Sequence, residues 1–315
     1  MKAAVLHALG RRPRFQDVPE PPPGVGQELV RVTACPLTNL DRVLAAGTHF
    51  ASPTALPAVC GSLAAGTLPD GARVLFRSAG GTMAERALTR RELCTPIPDG
   101  LDDALAAAVQ NPGVSTWAAL QWRARLQPGE RLLILGATGV AGQVAVQLAR
   151  RLGARRIVAA GRNPRVLATL PGLGADATIQ LDQPDEALRD AFRAEGGFDV
   201  VLDYLWGRPT ELFISTLGST DMQLRSSRTR CVQVGTMAGA HVALPAEVLR
   251  SSGLEILGFG TGNAPPPEHL ARLLHDVMAL LAGGGLHIDV NRVPLALVEE
   301  VWDLDQQGTR TVLIP

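Results

Sequence analysis

The residues best suited to chemistry lie mid-chain, in LLILGATGVAGQVAVQLARRLGA. Gly136, Gly139 and Gly142 recur where an apolar run gives way to a helical pattern. A turn of this kind needs residues that tolerate unusual backbone angles, and it lets bare amides approach a phosphate. The last glycine allows helix and strand to touch, while the helix N-terminus adds partial positive charge. The ligand such a turn suits is the diphosphate of a dinucleotide, with Thr138 and Val140 among the residues placed to touch it.

A second feature selects among dinucleotides. About 20 residues beyond the turn, an NAD site carries an Asp or Glu that grips the ribose 2′-hydroxyl. Here the corresponding stretch reads Gly161-Arg162-Asn163, with no acid. A carboxylate repels a 2′-phosphate, whereas a guanidinium pairs with it bidentately. Arg162 is therefore expected to hold a 2′-phosphate, with Asn163 beside it and Arg165 as a second cation. The cofactor so predicted is NADPH.

These residues need a frame. From about 117 to 262, apolar strands alternate with helical segments: RLLIL (131–135), RIVAA (156–160), ATIQL, DVVLD (199–203), CVQV (231–234) and LEILGF (254–259). Val140, Val144, Leu148 and Leu152 recur four residues apart and form one buried helical stripe. Asn163-Pro164 reads as an N-cap followed by a first-turn proline. The segment 184–196 reads as a solvated crossover helix. Alternation of this kind predicts an α/β, doubly wound parallel sheet. Residues 1–116 differ, being short β-type runs between proline- and glycine-rich turns, the texture of a small β domain. After TGNAPPP a helix is expected over 267–282, then a strand in HIDVNRV, a short helix in LALVEEVWDL and a last strand in TRTVLIP.

Composition narrows the partners. A chain of 315 residues, 46% apolar and 19% charged, can bury a large core, and about two domains are expected at this length. Formal net charge is zero, which argues against nucleic acid or an anionic membrane and for a small-molecule substrate. No run approaches the roughly 20 apolar residues of a membrane span, and no signal-peptide cleavage site is evident, so a cytoplasmic location is expected. Cys35, Cys60, Cys94 and Cys231 lie far apart with no CxxC pair, a pattern of reduced thiols rather than of a metal or disulfide framework. The histidines are dispersed without ligand spacing.

Two families place hydride chemistry on such a sheet. Short-chain dehydrogenases pair a tyrosine with a lysine four residues later. The single tyrosine here, Tyr204, is followed at that spacing by Arg208, which does not deprotonate usefully. The whole chain instead resembles the medium-chain dehydrogenase/reductase superfamily in its quinone oxidoreductase branch. The resemblance rests on LVRVTACPLTNLDRVLAAGTHF, VCGSLAAG, LPDGARVLF, GGTMAERALTR, the glycine-turn segment, FDVVLDYLWG, CVQVGTMAG, LEILGFGTG and QGTRTVLI. It implies a GroES-like β domain built from both chain ends (1–116 and 263–315), a Rossmann domain over 117–262, and a homodimer.

Departures from the zinc-dependent members are instructive. Thr38 stands where an active-site ligand or its asparagine counterpart is expected, and the GHE turn reads Gly61-Ser62-Leu63. Without imidazole and thiolate donors no zinc site is expected. The resemblance then implies metal-free transfer of hydride to a quinone, an enone or a similar conjugated carbonyl. Thr38 and Asn39 are placed near the nicotinamide as hydrogen-bonding groups, and Asp41 is read as a helix-entry carboxylate. Gly235-Thr236 and Phe259-Gly260-Thr261 follow the last two strands, where the resemblance puts the carboxamide. Arg310 is carried over as a further cofactor contact, and Asn111 and Thr116 line the pocket or serve a hinge. The unusual CGSLAAG and DYLWG also suit an alternative, a member that binds NADPH with little or no turnover.

Overall fold

Leu132, Leu133, Ile134 and Leu135 are all 0% exposed. Four such residues in a row require a strand covered on both faces. In the computed structural model, which describes residues 1–217 and 228–315, they form β1 (Arg131–Leu135) of a six-stranded parallel sheet. Its other strands are β2 (Arg156–Gly161), β3 (Ala177–Gln180), β4 (Val200–Asp203), β5 (Thr229–Gln233) and β6 (Leu254–Gly258). They lie in the order β3-β2-β1-β4-β5-β6. Val158, Leu133, Val201 and Cys231 are register partners across four strands and meet Phe192 and Phe213 in one core. Burying each large apolar side chain stabilises the fold by about 1.5–3 kcal/mol.

Helices α1 (Val140–Arg151), α2 (Pro164–Leu173), α3 (Asp185–Glu195) and α4 (Arg208–Ser215) connect the strands. The predicted stripe on α1 is realised at Val140, Val144 and Leu148, which are buried, whereas Leu152 is the half-buried C-cap beyond the helix. Helix α3 buries only Leu188 and Phe192 and leaves its charges to solvent. The strand order reverses between β1 and β4, and ligands of such sheets bind beyond the carboxyl ends at that point.

The chain divides into two units, Pro112–Leu273 around this sheet and Met1–Asn111 with Leu274–Pro315. The dividing points fall inside the helices Asp103–Ala118 and Pro267–Ala282 and do not coincide with the changes of sequence texture at 116 and 262. In the second unit, strand Arg310–Ile314 pairs in parallel with Val290–Pro294 and antiparallel with Glu28–Pro36. Strands Leu63–Thr67, Arg73–Arg77, Arg86–Thr89 and Cys94–Pro96 complete that mostly antiparallel sheet. A smaller sheet joins Lys2–Leu6 to Arg14–Asp17 and Ala58–Val59. Val30, Phe76, Met83, Trp302 and Leu313 share the core of this unit. The expected helix in LALVEEVWDL is a 3-10 turn followed by the short helix Val298–Val301. Among the described residues no helix is long and apolar enough to cross a membrane.

Candidate dinucleotide-binding site

Gly136 leaves β1 with φ +93°, and its N–H and that of Ala137 both donate to Ala160 O, at 2.9 and 2.8 Å. The turn is thereby tied to β2. The first helical hydrogen bond of α1 runs from Gln143 N–H to Gly139 O at 3.0 Å. The amides of Val140, Ala141 and Gly142 consequently precede any helical acceptor. No acidic side chain stands in the first turn of α1, while Arg150 and Arg151 occupy its last. The positive end of the helix dipole thus meets no carboxylate from its own first turn, an arrangement that favours an anion.

The glycines do different work. A Cβ on Gly142 would stand 2.3 Å from Gly136 O and 2.5 Å from Ala137 Cα, so only glycine lets α1 sit this close to the turn. A Cβ on Gly139 would meet nothing nearer than Gly136 O at 3.5 Å, and that glycine is exposed. At the end of β2, a Cβ on Gly161 would lie 2.3 Å from Thr138 Cγ2. Thr138 therefore rests on bare backbone.

Beyond Gly161, Arg162 and Arg165 are exposed and hold no ion pair among the described residues, whereas Arg150, Arg156, Arg189, Arg193, Arg208 and Arg230 in the same unit each grip a carboxylate. Gln180 Nε2 donates to Arg162 O at 2.7 Å and fixes the backbone from β3. Asn163 Oδ1 accepts from the N–H groups of Arg165 and Val166 at 3.0 and 3.3 Å, capping α2 with Pro164 behind it. Its oxygen is engaged in that cap.

On the other side of β1, Asp203 ends β4 fully buried. Its Oδ1 accepts from Leu205 and Trp206 N–H at 2.8 and 2.9 Å, and its Oδ2 from the Thr210 hydroxyl at 2.6 Å. Asp203 O accepts from Val234 N–H at 2.7 Å and Leu205 O from Ala238 N–H at 2.7 Å, so the exits of β4 and β5 are stitched together. Gly235 lies against Tyr204 O, 2.5 Å from where a Cβ would stand. Thr236 and Thr261 are exposed, whereas Phe259 is buried edge-on to Trp122 at 6.5 Å. Tyr204 and Thr116 share a hydroxyl–hydroxyl hydrogen bond of 2.7 Å.

Asp203 escaped sequence reasoning, although an Asp followed by a tight turn is an Asx-turn signal. Burial raises its pKa, opposed by the three hydrogen bonds. A raised carboxyl pKa contributes stability that is complete below the ordinary value, near 3.8, and is lost as pH rises through the folded value. Asp203→Asn keeps an acceptor for the two amides and does not titrate. In melts across pH 3.5–7, its stability relative to the parent is expected to rise with pH, and Asp203→Ala should follow the same trend about 1–3 kcal/mol below Asp203→Asn, because it orphans buried donors.

In the other unit, Thr38 is 4% exposed and caps the helix Asn39–Ala46. Its hydroxyl donates to Asp41 Oδ2 at 2.6 Å, its N–H donates to the same oxygen at 2.9 Å, and Asp41 N–H returns a 3.2 Å bond to the hydroxyl. This is a reciprocal capping box, and Asp41 is indeed a helix-entry carboxylate. Burial raises the Asp41 pKa, opposed by Thr38 and by the charge of Arg310. Asn39 is exposed. Arg310 is only 8% exposed and lies inside its own unit, where Nη1 donates to Leu37 O at 2.9 Å. Burial lowers its pKa to about 10. Gln306 Nε2 reaches the same carbonyl at 2.8 Å, so the residue before Thr38 is clamped from beside the chain's last strand.

Residues 140–278 match the zinc-binding dehydrogenase family. The chain is 27% identical to a probable NADPH-dependent quinone reductase, tdiC, of Emericella nidulans, covering 96% of both proteins. It is also 27% identical to the quinone oxidoreductase of Thermus thermophilus, solved with NADPH as well, with both chains fully covered and a TM-score of 0.79. The chain belongs to the medium-chain dehydrogenase/reductase superfamily, quinone oxidoreductase-like.

This quinone oxidoreductase-like chain is further 29% identical, over 89% of its length, to the spectinabilin polyketide synthase system protein NorB of Streptomyces orinoci, of which it spans 12%. The zinc in the matching family's description finds no donor set among the described residues. Among the described residues no three His, Cys, Asp or Glu side chains group as metal ligands. Leu63 is buried hydrocarbon, the Thr38 hydroxyl is engaged by Asp41, and burial holds Cys35 and Cys60 as thiols. A zinc site needs thiolate, imidazole or carboxylate ligands in a converging set. Leu63, Thr38 and the buried thiols Cys35 and Cys60 do not form such a set.

Proposed function

We propose that the chain is an NADPH-dependent oxidoreductase that passes hydride, without a metal, to a quinone, an enone or a similar conjugated carbonyl. The observation that carries this reading is the exposed Arg162, free of any carboxylate among the described residues, at the end of β2 beside the bare amides of α1. The amides of Val140, Ala141 and Gly142 would hold the diphosphate, and Arg162, with Arg165 behind it, the 2′-phosphate. Bound there, the dihydronicotinamide supplies a hydride to an electron-poor carbon or oxygen. Conjugated acceptors delocalise the incoming charge, which leaves the protein to orient the reactants and exclude water.

The Thr38 hydroxyl has no proton to offer the acceptor, because it already donates to Asp41. Its part in this reading is to hold the helix that begins with Asn39, the other residue assigned to the acceptor. Thr236 and Thr261, exposed beyond β5 and β6, are assigned to the carboxamide. We also take the protein to be a cytoplasmic homodimer, and sedimentation of the purified chain tests its oligomeric state.

Steady-state NADPH oxidation against a panel of quinones, enones and an α,β-unsaturated thioester is the deciding experiment. The thioester is included because the chain also matches part of a polyketide synthase protein. Turnover with at least one class, at a lower rate with NADH, is the expected result. Tight NADPH binding with no turnover on any acceptor would instead favour a binding protein, a reading suggested by the engaged Thr38 hydroxyl.

A further inference from the structure

Trp206 has a backbone φ of +55°, in the left-handed region. Glycine adopts that conformation freely, whereas a bulky L-residue does so only where its surroundings enforce it. Those surroundings are visible. Trp206 N–H is held by Asp203 Oδ1 at 2.9 Å, and the next residue, Gly207, is pressed against the β5 exit, where a Cβ would come within 2.6 Å of Ala238 O. Strain of this kind, locked in by neighbours, collects at ligand sites.

Trp302 is buried in a core and Trp122 meets Phe259. The Trp206 indole is half-buried, and among the described residues no ring contact or indole hydrogen bond holds it. Its place is the carboxyl end of β4, next to the reversal of strand order, and Leu205 and Tyr204 lie against the Gly136 turn. Arg162 marks the opposite side, at the end of β2. With the 2′-phosphate on the β2 side and the diphosphate over α1, the rest of a dinucleotide runs toward β4.

We propose that Trp206 forms the wall against which the nicotinamide half of the dinucleotide packs. The inference rests on the NADPH reading above and adds to it the residue that binds the reactive half. A flat indole suits a planar ring and its ribose, and aromatic contacts of this kind change affinity measurably.

Calorimetry with two ligands tests it, NADPH and adenosine 2′,5′-bisphosphate, which lacks the nicotinamide half. Trp206→Ala and Trp206→Gly are each expected to weaken NADPH by about 3- to 10-fold and to leave the bisphosphate unchanged. Trp206→Gly relieves the backbone as well as removing the ring, so its loss of affinity cannot come from a distorted turn. In the parent, NADPH should quench indole emission by energy transfer to the dihydronicotinamide, and Trp206→Phe should lose most of that transfer while keeping affinity. Unchanged NADPH affinity in Trp206→Gly, with the bisphosphate still bound, overturns the assignment of Trp206 alone. Failure of the parent to bind either ligand overturns the cofactor reading and this inference together.

Discussion

Gly142→Ala is expected to abolish dinucleotide binding and to destabilise its unit, a large effect for one methyl group. The added carbon would lie 2.3 Å from Gly136 O and 2.5 Å from Ala137 Cα, both backbone atoms that no rotamer change can move. Helix α1 must ride away from β1, which costs about 1–3 kcal/mol by the usual measure of overpacking and carries the three leading amides out of position. Gly139→Ala is the matched control, because its Cβ finds ordinary contact at 3.5 Å. That variant should melt like the parent yet bind NADPH more weakly, since the methyl occupies the face a phosphate approaches. Thermal melts and calorimetry on the pair separate helix placement from ligand access. Equal melting of Gly142→Ala and parent would refute the packing argument.

The second large effect concerns cofactor choice. Arg162→Ala should weaken NADPH by about 1–3 kcal/mol, the range for a hydrogen bond to a charged group, which is roughly 5- to 150-fold in affinity. NADH should bind the variant as it binds the parent. The guanidinium is exposed and pairs with no carboxylate among the described residues, so its removal leaves no buried group unsatisfied. Stability should accordingly stay within experimental error. Equal losses for both cofactors would take the 2′-phosphate away from Arg162 and return the cofactor question to Arg165 or to NADH.

The parts of the molecule governed by short-range repetition were open to reading. RLLIL emerges as β1 because a run of buried aliphatic residues has no other home in a sheet covered on both faces. The four-residue spacing of Val140, Val144 and Leu148 marked α1, and Asn163-Pro164 marked the start of α2. What stayed hidden depends on residues distant in the chain or on hydrogen direction. Arg310 spends its guanidinium on Leu37 O, 273 residues away, which no local pattern announces. The Thr38 hydroxyl is visible in the sequence, but its commitment to Asp41 follows from cap geometry alone. Trp206 reads as one more aromatic until its backbone angle is known.

The strand Arg310–Ile314 sits beside Glu28–Pro36, and Arg310 and Gln306 together fasten the carbonyl preceding Thr38. A ribosome delivers Leu37 long before its partners, 269 residues ahead of Gln306 and 273 ahead of Arg310. The uninterrupted stretch Pro112–Leu273 can assemble while translation continues, but the Asn39–Ala46 helix waits for Gln306 and Arg310 to be made before its anchor exists. Nascent chains arrested short of residue 306 should therefore protect the parallel sheet from protease and leave the segment around Thr38 open to cleavage.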